Sequence, residues 1–142
     1  MAPNGGVPLL YKVRPSYGAR GPSTDRSMES GTHAHYYNAH DLPRFAEMGK
    51  DAPHLAEKFF AWYNAVFAEG ALSEREKSLI ALAVAHAVQC PYCIDAYSSD
   101  CLQKGADTEQ MTEAVHVAAA IRGGASLVHG IQMRNRAEEL GM

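Results

Sequence analysis

No stretch of this 142-residue chain approaches the roughly 18 unbroken apolar residues of a membrane span, so none is expected. No charged-then-apolar leader opens it, which argues against a secretory signal. Charge of one sign is also lacking: 13 Lys and Arg face 16 Asp and Glu, with no long basic run. A net charge of −3 therefore argues against nucleic acid or anionic membrane as a partner. Cysteine is scarce, and an odd three cannot close the disulfide framework of a small secreted domain. The expected setting is the reducing cytoplasm. Period-two alternation is missing beyond the first 40 residues, which leaves no strands from which to build a sheet.

Proline and glycine are confined rather than absent. Pro3, Pro8, Pro15 and Pro22, with Gly5, Gly6, Gly18, Gly21 and Gly31, prevent a regular helix near the start. Residues 1–40 therefore read as an irregular N-terminal arm, in which only Val7 to Val13 is apolar enough to pack in extended form. Residues 41–142 read as a helical domain. Asp41 can cap a short helix with Pro43 in its first turn and Gly49 at its end. Leu55, Phe59, Trp62, Tyr63 and Val66 then define one face of an amphipathic helix closed by Gly70.

Ser73 and Glu76 form a capping box ahead of Ser78 to Gln89, an apolar run expected to be a central, buried helix. A further helix is expected from Cys90 to about Gly105. Asp107 and Gln110 signal the start of the last one. Gly123 and Gly124 predict a kink or break in it, and the Ala- and Gly-rich run at 118–125 would let backbones approach closely. The expected class is all-α, a compact helical bundle.

The chemistry concentrates in Cys90-Pro91-Tyr92-Cys93, directly behind the apolar run. Pro91 suits the first turn of a helix and puts Cys90 at the N-cap. There the unpaired N–H groups and the helix dipole favour a thiolate. Cys93 falls one turn later on the same side, which is the geometry of a reversible dithiol. A glutaredoxin carries a similar motif, but after a β-strand, and no strand is available here. A zinc site is the rival. Cys101 and His86 can be added to the pair on paper, yet both would sit on long helices where tetrahedral geometry is hard to satisfy. Redox chemistry is favoured, with no metal and no cofactor expected. Cys101 reads as a small buried hydrophobe.

The run Leu79 to Ala85, then Cys90-Pro91-Tyr92-Cys93-Ile94, then Gly105 and Glu113-Ala114, resembles the carboxymuconolactone decarboxylase/alkylhydroperoxidase D-like superfamily. Phe59 to Gly70, Lys77 to Tyr97 and Ala114 to Gly130 look like the peroxidase-like branch associated with arsenosugar biosynthesis. The resemblance implies a helical fold assembled as a homo-oligomer, a trimer or hexamer. It also implies hydroperoxide reduction by a dithiol/disulfide cycle that an external dithiol reductant resets, with the second cysteine as the attacking thiol.

The peroxidase pattern has a glutamate twelve residues before the first cysteine and a histidine four after the second; here these positions are Ser78 and Tyr97. Tyr97 can donate a hydrogen bond to a sulfur or a peroxide oxygen, but a phenol is a poor base at neutral pH. His86, one turn before Cys90, can supply the missing base. The candidate catalytic residues are therefore Cys90, Cys93, His86 and Tyr97. His116 and His129 read as structural or interface residues, and His33, His35 and His40 as solvated. Two other readings stay open. One is a lyase of the decarboxylase type, which needs no dithiol. The other is a non-catalytic helical oligomer whose dithiol senses redox state or binds a soft ion such as trivalent arsenic.

Overall fold

Short polar signals set the helix boundaries of this chain, and most of them act as read. The computed structural model describes Tyr37, Asn38 and residues 40–142. Among these residues every regular element is helical. A 3-10 helix spans Leu42–Gly49, followed by α1 Pro53–Phe67, α2 Glu74–Ala87, α3 Pro91–Gln103 and α4 Thr108–Glu139. The expected all-α class is observed, and no described helix is long and apolar enough to cross a membrane. The apolar stretch of the arm, Val7 to Val13, lies outside the described residues. The chain divides into two compact units, one ending at Asn64 and the other running from Ala65 to Met142.

In the first unit, Asp41 precedes the short helix as expected, but its backbone is already helical (φ −81°, ψ −29°) and its side chain caps no N–H. Its carboxylate pairs with Arg44 at 3.5 Å instead. Arg44 and Lys50 both hydrogen-bond Glu47 and hold its carboxyl down at about 2. The 3-10 helix and α1 approach closely where Gly49 meets Ala56; a Cβ on Gly49 would sit 2.6 Å from that of Ala56. Phe45 packs edge-on against Phe59 and Phe60 at centroid distances of 6.1 and 5.5 Å. The apolar face expected of α1 does not become core. Leu55, Phe59, Val66 and above all Trp62, at 63% accessible, remain exposed, and within that set only Tyr63 is half-buried.

The second unit holds α2, α3 and α4, with α2 packed against both of the others. The Ser73 capping box forms in full: the Ser73 N–H donates to Glu76 Oε2 at 2.7 Å, and Ser73 Oγ accepts from the Glu76 N–H at 3.3 Å. Ser78, Leu82 and Ala85 (i, i+4, i+7) are the buried face of α2. Its two neighbours cover only part of its circumference, so Ile80, Val84 and Val88 form an exposed stripe. This corrects the expectation of a helix buried all round.

The Asp107–Gln110 capping box starts α4 as read. That helix then runs unbroken through Gly123 and Gly124, against the expected break. A glycine inside a helix costs only about 1 kcal/mol while the hydrogen-bond ladder survives. Among the described residues a Cβ at either position would meet nothing within 4 Å, so none of their backbone approaches there. Ala118 is the one buried residue of α4.

Three helices end alike. At the end of α3 the Gly105 N–H donates to Leu102 O (3.1 Å) and the Ala106 N–H to Cys101 O (2.9 Å), with Gly105 left-handed at φ +79°. At the end of α4, Gly141 and Met142 repeat the pattern. Each is a Schellman closure, which favours glycine at the left-handed position. The end of α2 follows the same pattern, but with Gln89 at φ +57°.

Candidate active site at the junction of α2 and α3

The Gln89 turn delivers the dithiol. The Gln89 N–H donates to His86 O at 3.2 Å and the Cys90 N–H to Ala85 O at 3.1 Å, closing α2. The Arg122 guanidinium, reaching from α4, donates to Ala87 O and satisfies another of the open carbonyls at this end. Cys90 then takes an extended backbone (φ −94°, ψ 103°) and becomes the N-cap of α3, with Pro91 in the first turn as expected. Its Sγ accepts the Cys93 N–H at 3.4 Å.

Both cysteines are free and half-buried, and their Sγ atoms lie 2.9 Å apart, a contact in which either thiol can donate. Closing a disulfide needs an approach of roughly 1 Å more, to the ~2.05 Å bond. Burial, the hydrogen bond to Cys90 and the nearby charge of Cys90 push the Cys93 thiol up from 9.0 to about 12. Cys101 is fully buried, and its thiol is pushed up chiefly by that burial. This matches its reading as a packing residue.

The other two candidates have partners of their own. His86 Nδ1 lies 2.9 Å from Leu82 O. A carbonyl only accepts, so Nδ1 is the donor in this bond. Tyr97 is buried and stacks on Phe67 with ring centroids 5.3 Å apart. The His86 bond thus runs to the Leu82 carbonyl, one turn back along α2, and not to Cys90 or Cys93. His116 and His129 are exposed on α4, and His40 is exposed as well.

A second polar group, unread in the sequence, lies deeper between α2 and α3. Ser78 is fully buried and its hydroxyl bonds to the Asp100 carboxylate. Lys104 Nζ donates to Asp100 Oδ2 at 2.9 Å and to Ser78 Oγ at 3.2 Å. Cys93, Tyr97, Asp100 and Lys104 recur at i, i+4, i+7 and i+11, one face of α3. The signal available in the sequence was this spacing, together with an Asp-to-Lys pair four apart. Asp100 stands about 10 Å along the helix axis from Cys93, too far for direct proton transfer. Its carboxylate is moreover neutralised by Lys104. The cluster ties α3 to α2 and does not reach the dithiol.

No group of three or more His, Cys, Asp or Glu that could hold a metal is assembled among the described residues. The four-ligand set drawn from Cys90, Cys93, Cys101 and His86 fails because Cys101 lies about 12 Å further along α3 than Cys93.

The family model for the carboxymuconolactone decarboxylase family matches residues 53–133. The chain belongs to that family. A curated relative, uncharacterized protein 4 in the cox locus of Paracoccus denitrificans, is 43% identical over 83 residues, 58% of this chain and 75% of its own length. A crystal structure of a protein from Methanobacterium thermoautotrophicum is similar at 35% identity and TM-score 0.59, covering 61% of this chain and 97% of that one. An apo carboxymuconolactone decarboxylase family protein from Legionella pneumophila is similar at 31% identity and TM-score 0.56, covering 73% and 94%. Within this family, the chain carries a dithiol at hydrogen-bonding distance. At the position of the peroxidase-pattern glutamate it has Ser78, and the carboxylate bonded there comes from Asp100 on the neighbouring helix.

Proposed function

We propose that this carboxymuconolactone decarboxylase family protein is a thiol-dependent peroxidase of the alkylhydroperoxidase D-like type. The observation that carries this reading is the pair of free, half-buried sulfurs 2.9 Å apart at the start of α3. A thiolate attacks the O–O bond of a hydroperoxide and becomes a sulfenic acid, and the alcohol leaves. The second cysteine condenses with the sulfenic acid, expelling water and closing a disulfide. An external dithiol reductant then restores the pair by exchange. In sum, one hydroperoxide and one dithiol give one alcohol, one water and one disulfide.

The lyase chemistry for which the family is named needs no dithiol, so it leaves the placement of these sulfurs without a purpose. The chain is expected to work in the reducing cytoplasm, where such a pair is re-reduced. It is also expected to work as a homo-oligomer, a trimer or hexamer. The exposed stripe of Ile80, Val84 and Val88 and the exposed Ile121, Leu127, Val128 and Ile131 of α4 support that expectation.

The test is consumption of cumene hydroperoxide with dithiothreitol as reductant. Cys90→Ser and Cys93→Ser should each abolish turnover and keep the helical circular-dichroism signal. Turnover retained in both variants would refute the proposal.

A further inference from the structure

Arg122 is an exposed cation anchored close to the dithiol. It reaches from α4 to Ala87 O, the carbonyl three residues before Cys90. That bond uses Nη1 alone, and among the described residues no carboxylate forms an ion pair with Arg122. We propose that Arg122 is the anion-recognition residue of the dithiol site, selecting hydroperoxides that carry a carboxylate. This rests on the peroxidase reading above and names the substrate class of that same site.

The surroundings leave the guanidinium without a competing acid. On α4 the i±3 and i±4 positions, where a carboxylate would pair with it, hold Ala119, Ala125, Ala118 and Ser126. Their small side chains also leave the charge uncrowded. The α2 run from Ser78 to Gln89 contains no Asp or Glu. Asp95 is the acid of α3 closest in sequence to the dithiol, but it lies roughly 200° round the helix from Cys93. The exposed Ile121, Leu127, Val128 and Ile131 centre on the opposite side of α4 from Arg122. An oligomer contact through that apolar face would leave the guanidinium accessible.

Reach and donor geometry suit a small substrate. Three residues separate Ala87 from Cys90, so their Cα atoms lie within roughly 11 Å of each other. The Ala87 carbonyl holds Nη1 and so fixes the guanidinium plane near the sulfurs. Nε and Nη2 form the other edge of that plane, a pair of parallel donors spaced for the two oxygens of a carboxylate. Capping of α2 accounts for the Nη1 bond alone. A substrate carboxylate on the Nε/Nη2 edge, several bonds from its O–O group, would hold the peroxide at the dithiol. The guanidinium is exposed, so this attraction weakens as salt is added.

Two measurements on the full chain test the assignment. The first compares cumene hydroperoxide with its para-carboxylate derivative as substrates of wild type and Arg122→Gln. Glutamine keeps an N–H donor but loses the charged fork. The ratio of kcat/KM for the anionic over the neutral peroxide should fall by about tenfold in the variant, through KM. Arg122→Lys should recover part of that ratio. An unchanged ratio in Arg122→Gln would mean that Arg122 only caps α2 and would overturn the proposal. The second needs neither a variant nor turnover. Reduced wild type is titrated with unreactive para-isopropylbenzoate, and with para-isopropylbenzamide as the neutral control, while NMR follows the Arg122 Nε–H and the Tyr92 and Cys93 amides. The benzoate should shift these signals, less so at high salt, and the benzamide should not. An equal response to both, or none to the benzoate, would overturn the carboxylate site. Wild type that binds the benzoate there but consumes neither peroxide would instead overturn the peroxidase reading and leave the anion site standing.

Discussion

Replacing Asp100 with alanine should cost far more than the loss of one surface charge. The Asp100 side chain is 6% accessible and accepts from Lys104 Nζ at 2.9 Å and from the buried Ser78 hydroxyl. Without it the Lys104 ammonium, on a side chain 16% accessible, keeps among the described residues only Glu74 at 3.9 Å as a carboxylate partner. Removing one member of a buried pair costs about 3–5 kcal/mol, because the other charge is left uncompensated. Glu74 and the remaining solvent contact put Asp100→Ala near the lower end, about 3 kcal/mol. For a domain of this size that is a fall of about 10 °C in Tm. Thermal and urea unfolding followed by circular dichroism, at fixed protein concentration, would measure it. The double variant Asp100→Leu/Lys104→Met removes both charges and should recover most of the loss. A cost below about 1 kcal/mol for Asp100→Ala would place the pair with ordinary surface ion pairs and refute its role in holding α3 on α2.

Backbone strain before the dithiol predicts a gain. Gln89→Gly should stabilise the fold by about 0.5–1 kcal/mol, the left-handed penalty relieved less the extra freedom of the unfolded chain. Gly105→Ala, where a Cβ meets nothing but φ is +79°, should lose about 1 kcal/mol by strain alone; both changes can be read from urea midpoints. Cys93, whose thiol is raised from 9.0 to about 12, stabilises the fold fully below pH 9 and loses that contribution as pH rises through about 12. Unfolding curves of Cys93→Ser should accordingly fall less steeply than wild type over that alkaline window. His86→Ala should leave the pH–rate profile of peroxide reduction unchanged. A displaced acid limb would return the imidazole to the proton path.

The helix starts were legible because each rests on a local bond that the sequence spells out. Ser73 with Glu76, Asp107 with Gln110 and Cys90 with Pro91 all act where they stand. The end of α3 was equally plain, since Gly105 is the residue a left-handed turn requires. The end of α2 was not, because Gln89 gives no such signal, and the strained residue is the one directly before the site. Apolar periodicity identified the helices but misjudged what covers them. Trp62, Val84 and Val88 are apolar at helical spacing, yet they stay exposed among the described residues. Ser78 stood out only as a missing glutamate. The carboxylate that replaces it, Asp100, is distant in sequence and becomes its neighbour only when α3 packs on α2.

The central claim is that Cys90 and Cys93 convert from dithiol to disulfide at the expense of a hydroperoxide. Titration of free thiols before and after one equivalent of cumene hydroperoxide, in unfolded and quenched samples, tests it most directly. The account predicts the loss of two of the three thiols per chain, with Cys101 the survivor. Three thiols remaining after the dose would contradict it.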